Sequence, residues 1–145
     1  MKILVQRVDE VFIKIDGKIH AVSGKGLLIF IGINTTDDES IIPYFIDKIV
    51  NLRIFEDSGG KMNLSVKDIN GEIAAVPQFT LYADTKKGRR PGFTESSPPE
   101  KAMPLYNFFI KNLKETGLKI VEGVFGSHME IGLINNGPAT FIIEK

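Results

Sequence analysis

Three short stretches of this sequence gather the residues best able to do chemistry. In VPQFTLYADT, Gln78 and Thr80 share one face if a strand's alternation runs through them, with Phe79 on the other. That would present an amide and a hydroxyl together, although two solvated polar residues on a strand is the plainer reading. The second stretch carries Lys86, Lys87, Arg89 and Arg90 around Gly88, four cations in five residues. A solvated loop is the default for such a run. Phosphate contact is the sharper alternative, because a guanidinium can meet phosphate with two parallel hydrogen bonds. The third is INNGPAT, where an ordinary Asn-Gly hairpin signal is followed at once by Pro138. Proline fixes its own φ, removes a backbone donor and biases the residue before it, so Gly137-Pro138 is an odd choice for a plain hairpin. Only about one X-Pro bond in twenty is cis in folded proteins, so the dipeptide alone does not specify the isomer.

The commoner catalytic constellations are missing. The chain has no cysteine, which excludes disulfides, thiolate zinc sites and Cys nucleophiles. His20 and His128 are its only histidines and no HExxH is present, so a transition-metal site would have to be mostly carboxylate; none is expected. A Ser-His-Asp triad would need one of these histidines, yet Ser23 and Ser127 lie outside any G-x-S-x-G elbow. Surface or satisfied histidines fit better. Gly24 and Gly26 make a GxG with no third glycine and no helix after it, and there is no Walker A motif.

The elements that must position these stretches follow from periodicity. Ile3 to Val8 and Val11 to Ile15 read as strands, and Asp16-Gly17 signals a hairpin into Ile19 to Val22. Gly26 to Ile33 is a continuous apolar run, which predicts a strand buried on both faces. Ile41, Ile42, Phe45, Ile46, Ile49 and Val50 form one helical stripe. Thr36 and Glu39 could form its capping box, with Pro43 distorting the first turn. Asn70-Gly71 gives a second hairpin signal, and EIAAVPQFTLYA reads as a strand interrupted at Pro77 and open to something outside the sheet. A second helix carries Leu105, Phe108, Phe109 and Leu113, with Ser97 and Glu100 as a possible capping box, Pro98 at its first position and Gly117 as its stop. LKIVEGVF, HMEIGLI and ATFIIE supply the last strands. Many antiparallel strands plus two helices predict a compact α/β layer structure, with residues 1–145 as one domain.

The bulk composition agrees. With 43% hydrophobic and 25% charged residues the chain is globular, and 145 residues can bury a sizeable core. Eighteen basic residues balance eighteen acidic ones, which argues against a general nucleic-acid coat protein while leaving room for a local basic patch. MKILVQRVDE is too short and too charged for a signal peptide, and no apolar run nears a membrane span. A soluble, cytoplasmic protein with no membrane partner is expected.

Taken together, QFTLYADT, GRRPGF and INNGPAT, with GKMNLSV before them and QRV near the start, resemble the D-aminoacyl-tRNA deacylase family, also called D-tyrosyl-tRNA deacylase. The likeness runs in order over essentially the whole chain. It implies a homodimer of a three-layer β/β/α fold with a mainly antiparallel, barrel-like curled sheet, acting without a cofactor. The implied reaction is hydrolysis of the ester between a D-amino acid and the 3′-terminal adenosine of tRNA, and of glycyl-tRNA as well. The partner is thus the aminoacyl-tRNA 3′ end.

The resemblance also assigns roles. Gly137-Pro138 is implied to be cis and to reach into the partner subunit's active site, where its two carbonyl oxygens face the bound amino acid. Gln78, Phe79 and Thr80 match the catalytic motif. Backbone N–H groups there would hold the ester carbonyl, and Thr80 is either a nucleophile or a bystander to assistance from the ribose 2′-OH. Arg7 in QRV matches an arginine that holds the Gly-Pro loop; an exposed strand arginine is the bland alternative. Lys86, Lys87, Arg89 and Arg90 are expected to meet tRNA. The chain departs from the family in Pro77, where Ser is usual, and in Gly92, where Ser is common. An animal relative carries Pro at the first position together with a trans Gly-Pro bond, but Phe79 keeps the main pattern and cis is expected. A non-catalytic module of the same fold, binding an aminoacyl-adenosine end or small ligand, is the alternative; a plain small-molecule esterase lacks a nucleophile-base pair.

Overall fold

The computed structural model describes residues 1–145. In chain order the elements are β1 (Lys2–Ile15), β2 (Lys18–Ser23), β3 (Gly26–Gly32), α1 (Ile42–Asn51), β4 (Phe55–Glu56), β5 (Met62–Leu64), β6 (Glu72–Pro77), α2 (Pro99–Lys114), β7 (Ile120–Glu122) and β8 (Glu130–Glu144). Strands β2-β1-β3-β6-β7 form one sheet, with β8 paired to the other side of β1; β4 and β5 make a separate ribbon. The sheet curls until β2 meets β6 and β7, giving a nearly closed, barrel-like layer under two helices. No helix is long and apolar enough to cross a membrane.

Asp16 and Gly17 have φ of 51° and 73°, the positive values that a two-residue type I′ loop needs, and Ile15 pairs with Lys18 as that loop dictates. The two strands expected before it are one. A bulge of β1 between Val8 and Glu10 explains why the sequence suggested a break. Ile3 and Val5 face the helices, whereas Val8, Val11 and Ile13 face the interior of the curl. One extra residue at Asp9 shifts the alternation, so Val11 and Ile13 fall on the same side as Val8.

The apolar run of β3 is buried on both faces for the reason its composition implied. Leu27, Ile29 and Ile31 pack under the helices with Phe45, Ile49, Phe109 and Leu113. Leu28 points the other way, onto Val11, Ile13, Ala74 and Val76. Strands β3, β6 and β7 run parallel, an exception within a mainly antiparallel sheet. The crossovers that parallel pairing requires are the segments holding α1 and α2.

Several local expectations need correction. Thr36 and Glu39 form no capping box; Asp38 caps instead, accepting from the Ser40 N–H at 2.9 Å, and a 3₁₀ turn over Glu39–Ile41 precedes α1. Pro43 sits in the first turn of α1, where its missing N–H costs nothing. Ser97 does not cap α2 either: Pro98 is the cap residue, Pro99 begins the helix, and the Ser97 hydroxyl is buried with no partner. Asn70-Gly71 joins no paired strands, because β5 pairs with β4 and the turn only delivers the chain to β6. Strand β6 is not open at its side, since β3 and β7 flank it; it ends at Pro77, and Gln78 still donates its N–H to the Ile31 carbonyl at 2.8 Å before the chain turns away.

The C-terminal Asn-Gly signal does not close a hairpin either. HMEIGLI and ATFIIE do not turn back on each other; the first from Glu130 onward and the second throughout lie in β8, and both pair with β1. Gln6 pairs with Thr140 and Val8 with Asn135, so residues 136–139 stand as a bulge opposite Arg7 alone.

Candidate active site

Strand β6 carries the chain to Pro77, and α2 fixes that end. Tyr106 on α2 donates its hydroxyl to the Ala75 carbonyl at 3.1 Å, and burial pushes its phenol pKa well up. Gln78 still donates its N–H to the Ile31 carbonyl at 2.8 Å, and after it the chain leaves the sheet. Phe79–Tyr82 form a 3₁₀ turn rather than a continued strand, so the expected alternation of Gln78 and Thr80 across Phe79 does not hold. The two polar side chains meet all the same, with Gln78 Nε2 donating to Thr80 Oγ1 at 2.5 Å. That is the hydroxyl's only side-chain partner, and an amide cannot take its proton. Tyr82, one turn on, has its phenol pushed up to about 12 by burial, with Asp37, Glu144 and Glu95 adding to the effect. It is therefore a neutral group at physiological pH and no base.

Beside this turn lies a cleft of about 590 Å³. Its floor is Ile31, Val76 and Ala102, and Pro77, Gln78 and Phe79 form one wall. Phe79 is exposed and packs edge-on against Phe93 at 5.1 Å between ring centres. Phe125, Ser127, His128 and Met129 also line it. Thr80 does not line this cleft, nor do Gly137 and Pro138 of the same chain.

The Gly137–Pro138 peptide bond is cis, as expected. Both residues are exposed, on the bulge of β8. Arg7 is not an exposed strand arginine: only 5% of its surface is accessible. Its Nε donates to the Asn136 carbonyl at 2.8 Å and its guanidinium also donates to the Ile54 carbonyl. A buried cation without a carboxylate is thus held by two main-chain oxygens, one of them at Asn136 immediately before Gly137. Lys86, Lys87, Arg89 and Arg90 are exposed in a loop closed by an Asp84–Gly92 bridge, and none is paired with an acid.

Sequence reading missed most of the cleft. Phe93 lies in GRRPGF, but Ser97, Phe125, His128 and Met129 come from segments whose spacing carries no signal of a shared site. His128, read from sequence as a surface or satisfied histidine, is exposed and also lines the cleft. No three His, Asp or Glu side chains converge as a metal-binding group would.

Comparison with known proteins bears on this arrangement. The family model described as D-Tyr-tRNA(Tyr) deacylase matches residues 4–144. The D-aminoacyl-tRNA deacylase of Halothermothrix orenii is 53% identical over 145 residues, covering 100% of this chain and 97% of that protein. That of Thermodesulfovibrio yellowstonii is 50% identical over 97% of this chain and 96% of its own length. Among solved structures, one described as c-Myc DNA unwinding element binding protein superimposes with a TM-score of 0.94 at 37% identity, covering 100% of this chain and 99% of its own. A probable eukaryotic D-amino acid tRNA deacylase, at 16% identity and a TM-score of 0.86, shares the fold. A match that spans the QRV strand, the 3₁₀ turn after Pro77 and the Gly-Pro bulge alike leaves one assignment: the chain belongs to the D-Tyr-tRNA(Tyr) deacylase family.

Proposed function

We propose that this protein hydrolyses the ester bond of D-aminoacyl-tRNA, and of glycyl-tRNA, releasing the free amino acid and tRNA in the cytoplasm. The observation that carries the reading is the cleft beside Gln78 and Phe79, an apolar pocket with aromatic walls next to a short turn of unusual backbone. A terminal adenosine suits it: the base can lie against Phe79 or Phe93, since aromatic faces accept any base by stacking. The ester then falls near Gln78, Phe79 and Thr80. The first N–H groups of a 3₁₀ turn have no partner within it and are free to hold a carbonyl oxygen as charge develops.

Water attacks the ester carbon, the bond to the 3′ oxygen breaks, and that oxygen leaves as the ribose hydroxyl. With no base at Thr80, the neighbouring 2′-OH is the better candidate to assist, so the protein contributes position and electrostatics. Handedness is assigned to Gly137 and Pro138 of a partner subunit in a homodimer. Their exposure, and their absence from the cleft of their own chain, support a role in another copy. Carbonyl oxygens facing the bound amino acid would collide with an L side chain, leave a D side chain room and ignore glycine. Lys86, Lys87, Arg89 and Arg90 are assigned to the tRNA phosphates.

The test is direct. Incubated with charged tRNA, the protein should cleave D-tyrosyl-tRNA and glycyl-tRNA and spare L-tyrosyl-tRNA. Binding of D-tyrosyl-tRNA without turnover would reduce the protein to a binding module, and equal cleavage of both hands would remove the role given to Gly137 and Pro138.

A further inference from the structure

The bulge at residues 136–139 has no strand partner except Arg7. A four-residue excursion lacking ladder hydrogen bonds opens easily unless side chains hold it. Two side-chain pairs from β1 do so at its leading edge. Gln6 Nε2 donates to Asn135 Oδ1 at 3.0 Å, and Asn136 Nδ2 donates to Asp9 Oδ1 at 2.8 Å. They flank the Arg7 contact, one on either side along β1.

Asn135 in turn lies over Gly137. A Cβ placed on Gly137 would come within 2.7 Å of Asn135 Nδ2, so the amide is packed against Gly137. Gln6 makes no other side-chain hydrogen bond, and its Oε1 is buried with no partner at all. An unsatisfied buried acceptor is a local cost to stability. The single hydrogen bond the side chain makes in return goes to Asn135, the residue that leads into the bulge. Asp9 is the residue whose insertion turns β1 over, so the same irregularity that directs Val11 and Ile13 into the curl also aims a carboxylate at Asn136.

We propose that Gln6 and Asp9 are positioning residues that hold the Gly137–Pro138 bulge in place, and through it set how sharply the protein separates D from L substrates. The proposal deepens the function given above, and rests on it for the link to handedness. A steric clash discriminates only while the clashing group cannot move aside. Each hydrogen bond lost should raise the population of a displaced bulge about fivefold. Asp9 is exposed, so its substitution leaves the core untouched.

The experiment uses Gln6→Leu, Asp9→Ala and the double variant, with Asp9→Asn as the conservative control because its side-chain oxygen still accepts from Asn136. Amide exchange across residues 133–141, read by mass spectrometry, should accelerate about fivefold in each single variant and further in the double. The ratio of kcat/KM for D-tyrosyl-tRNA over L-tyrosyl-tRNA should fall by at least about fivefold, through faster L cleavage, while Asp9→Asn stays within about twofold of the parent protein. Unchanged exchange in the double variant overturns the proposal, as does faster exchange with an unchanged ratio. Should the parent protein cleave neither hand, the assigned function fails, and the exchange result alone still decides whether Gln6 and Asp9 hold the bulge.

Discussion

Gln78 and Thr80 are joined by a hydrogen bond of 2.5 Å in which the amide donates and the threonine hydroxyl accepts. The Thr80 hydroxyl is therefore pinned by a group that cannot deprotonate it. Thr80→Ala should keep activity within about tenfold of the parent protein, well short of the loss expected when a general base or its nucleophile is removed. A D-aminoacyl-tRNA whose terminal ribose lacks the 2′-OH should be cleaved at least about a hundredfold more slowly. Single-turnover rates on both substrates check this. A near-total loss in Thr80→Ala with a native circular dichroism spectrum would restore threonine as nucleophile.

The basic loop makes a different kind of prediction. Lys86, Lys87, Arg89 and Arg90 are exposed and unpaired, so their charge is available to phosphate and open to screening. Lys86→Ala with Arg89→Ala should raise KM several-fold at low salt with little change in kcat, and should lower the slope of log affinity against log salt by about one for each phosphate contact removed. Parallel salt curves for variant and parent protein would leave the loop merely solvated.

Arg7 ties the Asn136 and Ile54 carbonyls together from a buried position. Arg7→Met keeps much of the side-chain volume and leaves two carbonyls without their donor. An unsatisfied buried acceptor costs about 1–3 kcal/mol, so denaturant unfolding should show a loss of about 2 kcal/mol or more. The D over L ratio should fall at the same time. Stability and selectivity both unchanged would mean that water replaces the guanidinium without consequence.

How far the sequence reveals this molecule depends on whether the deciding contact is local. The β1–β2 turn was readable because Asp16-Gly17 supplies both positive φ values within two residues. Burial of β3 on both faces was readable because every position in the run is apolar or glycine. Asn136-Gly137 misled for the converse reason. The same dipeptide that closes a hairpin also tolerates a bulge, and only the pairing of both flanks with β1, some 130 positions earlier, separates the two outcomes. Extrapolating strand alternation past Pro77 failed because the backbone winds into a 3₁₀ turn directly after Gln78, whose N–H still donates to the Ile31 carbonyl at 2.8 Å. Gln78 and Thr80 nevertheless meet, through a turn rather than a pleat. The parallel pairs of β6 and the contribution of Phe125 and His128 to the cleft depend on crossovers, and no local pattern encodes those.

Acid should weaken the fold through Glu72, at the start of β6. Its carboxylate accepts from Lys119 and from the Gly24 N–H, and these bonds, Lys119 foremost, hold its pKa below the usual glutamate value against the opposing effect of burial. The folded chain thus binds this proton more weakly than the unfolded chain does. The resulting stability is present in full above the ordinary glutamate range and is lost as pH falls through the lowered folded value. The stability difference between the parent protein and Glu72→Gln should be constant from roughly pH 6 to 8 and shrink below about pH 5. A difference that stays flat down to about pH 3 would remove Glu72 from the acid transition.

Strand β8 has a free edge along its length and exposes Leu133, Ile134 and Ile142, while Val22 and Ile19 are exposed on β2. A long edge strand with apolar side chains is normally covered in the working protein. Since the Gly137–Pro138 bulge rises from the same strand, a partner that covers β8 also meets the bulge. Ile134→Glu places a charge on this edge without touching the core, because Ile134 is 55% exposed in the single chain. In sedimentation experiments the parent protein should run as a dimer and Ile134→Glu as a monomer with unaltered secondary structure. The monomer should lose most D-aminoacyl-tRNA cleavage, by at least about a hundredfold, because a site that takes its selecting carbonyls from another copy also loses the preorganised wall of its pocket. A fully active monomer would place the whole site within one chain and would require a different origin for selectivity.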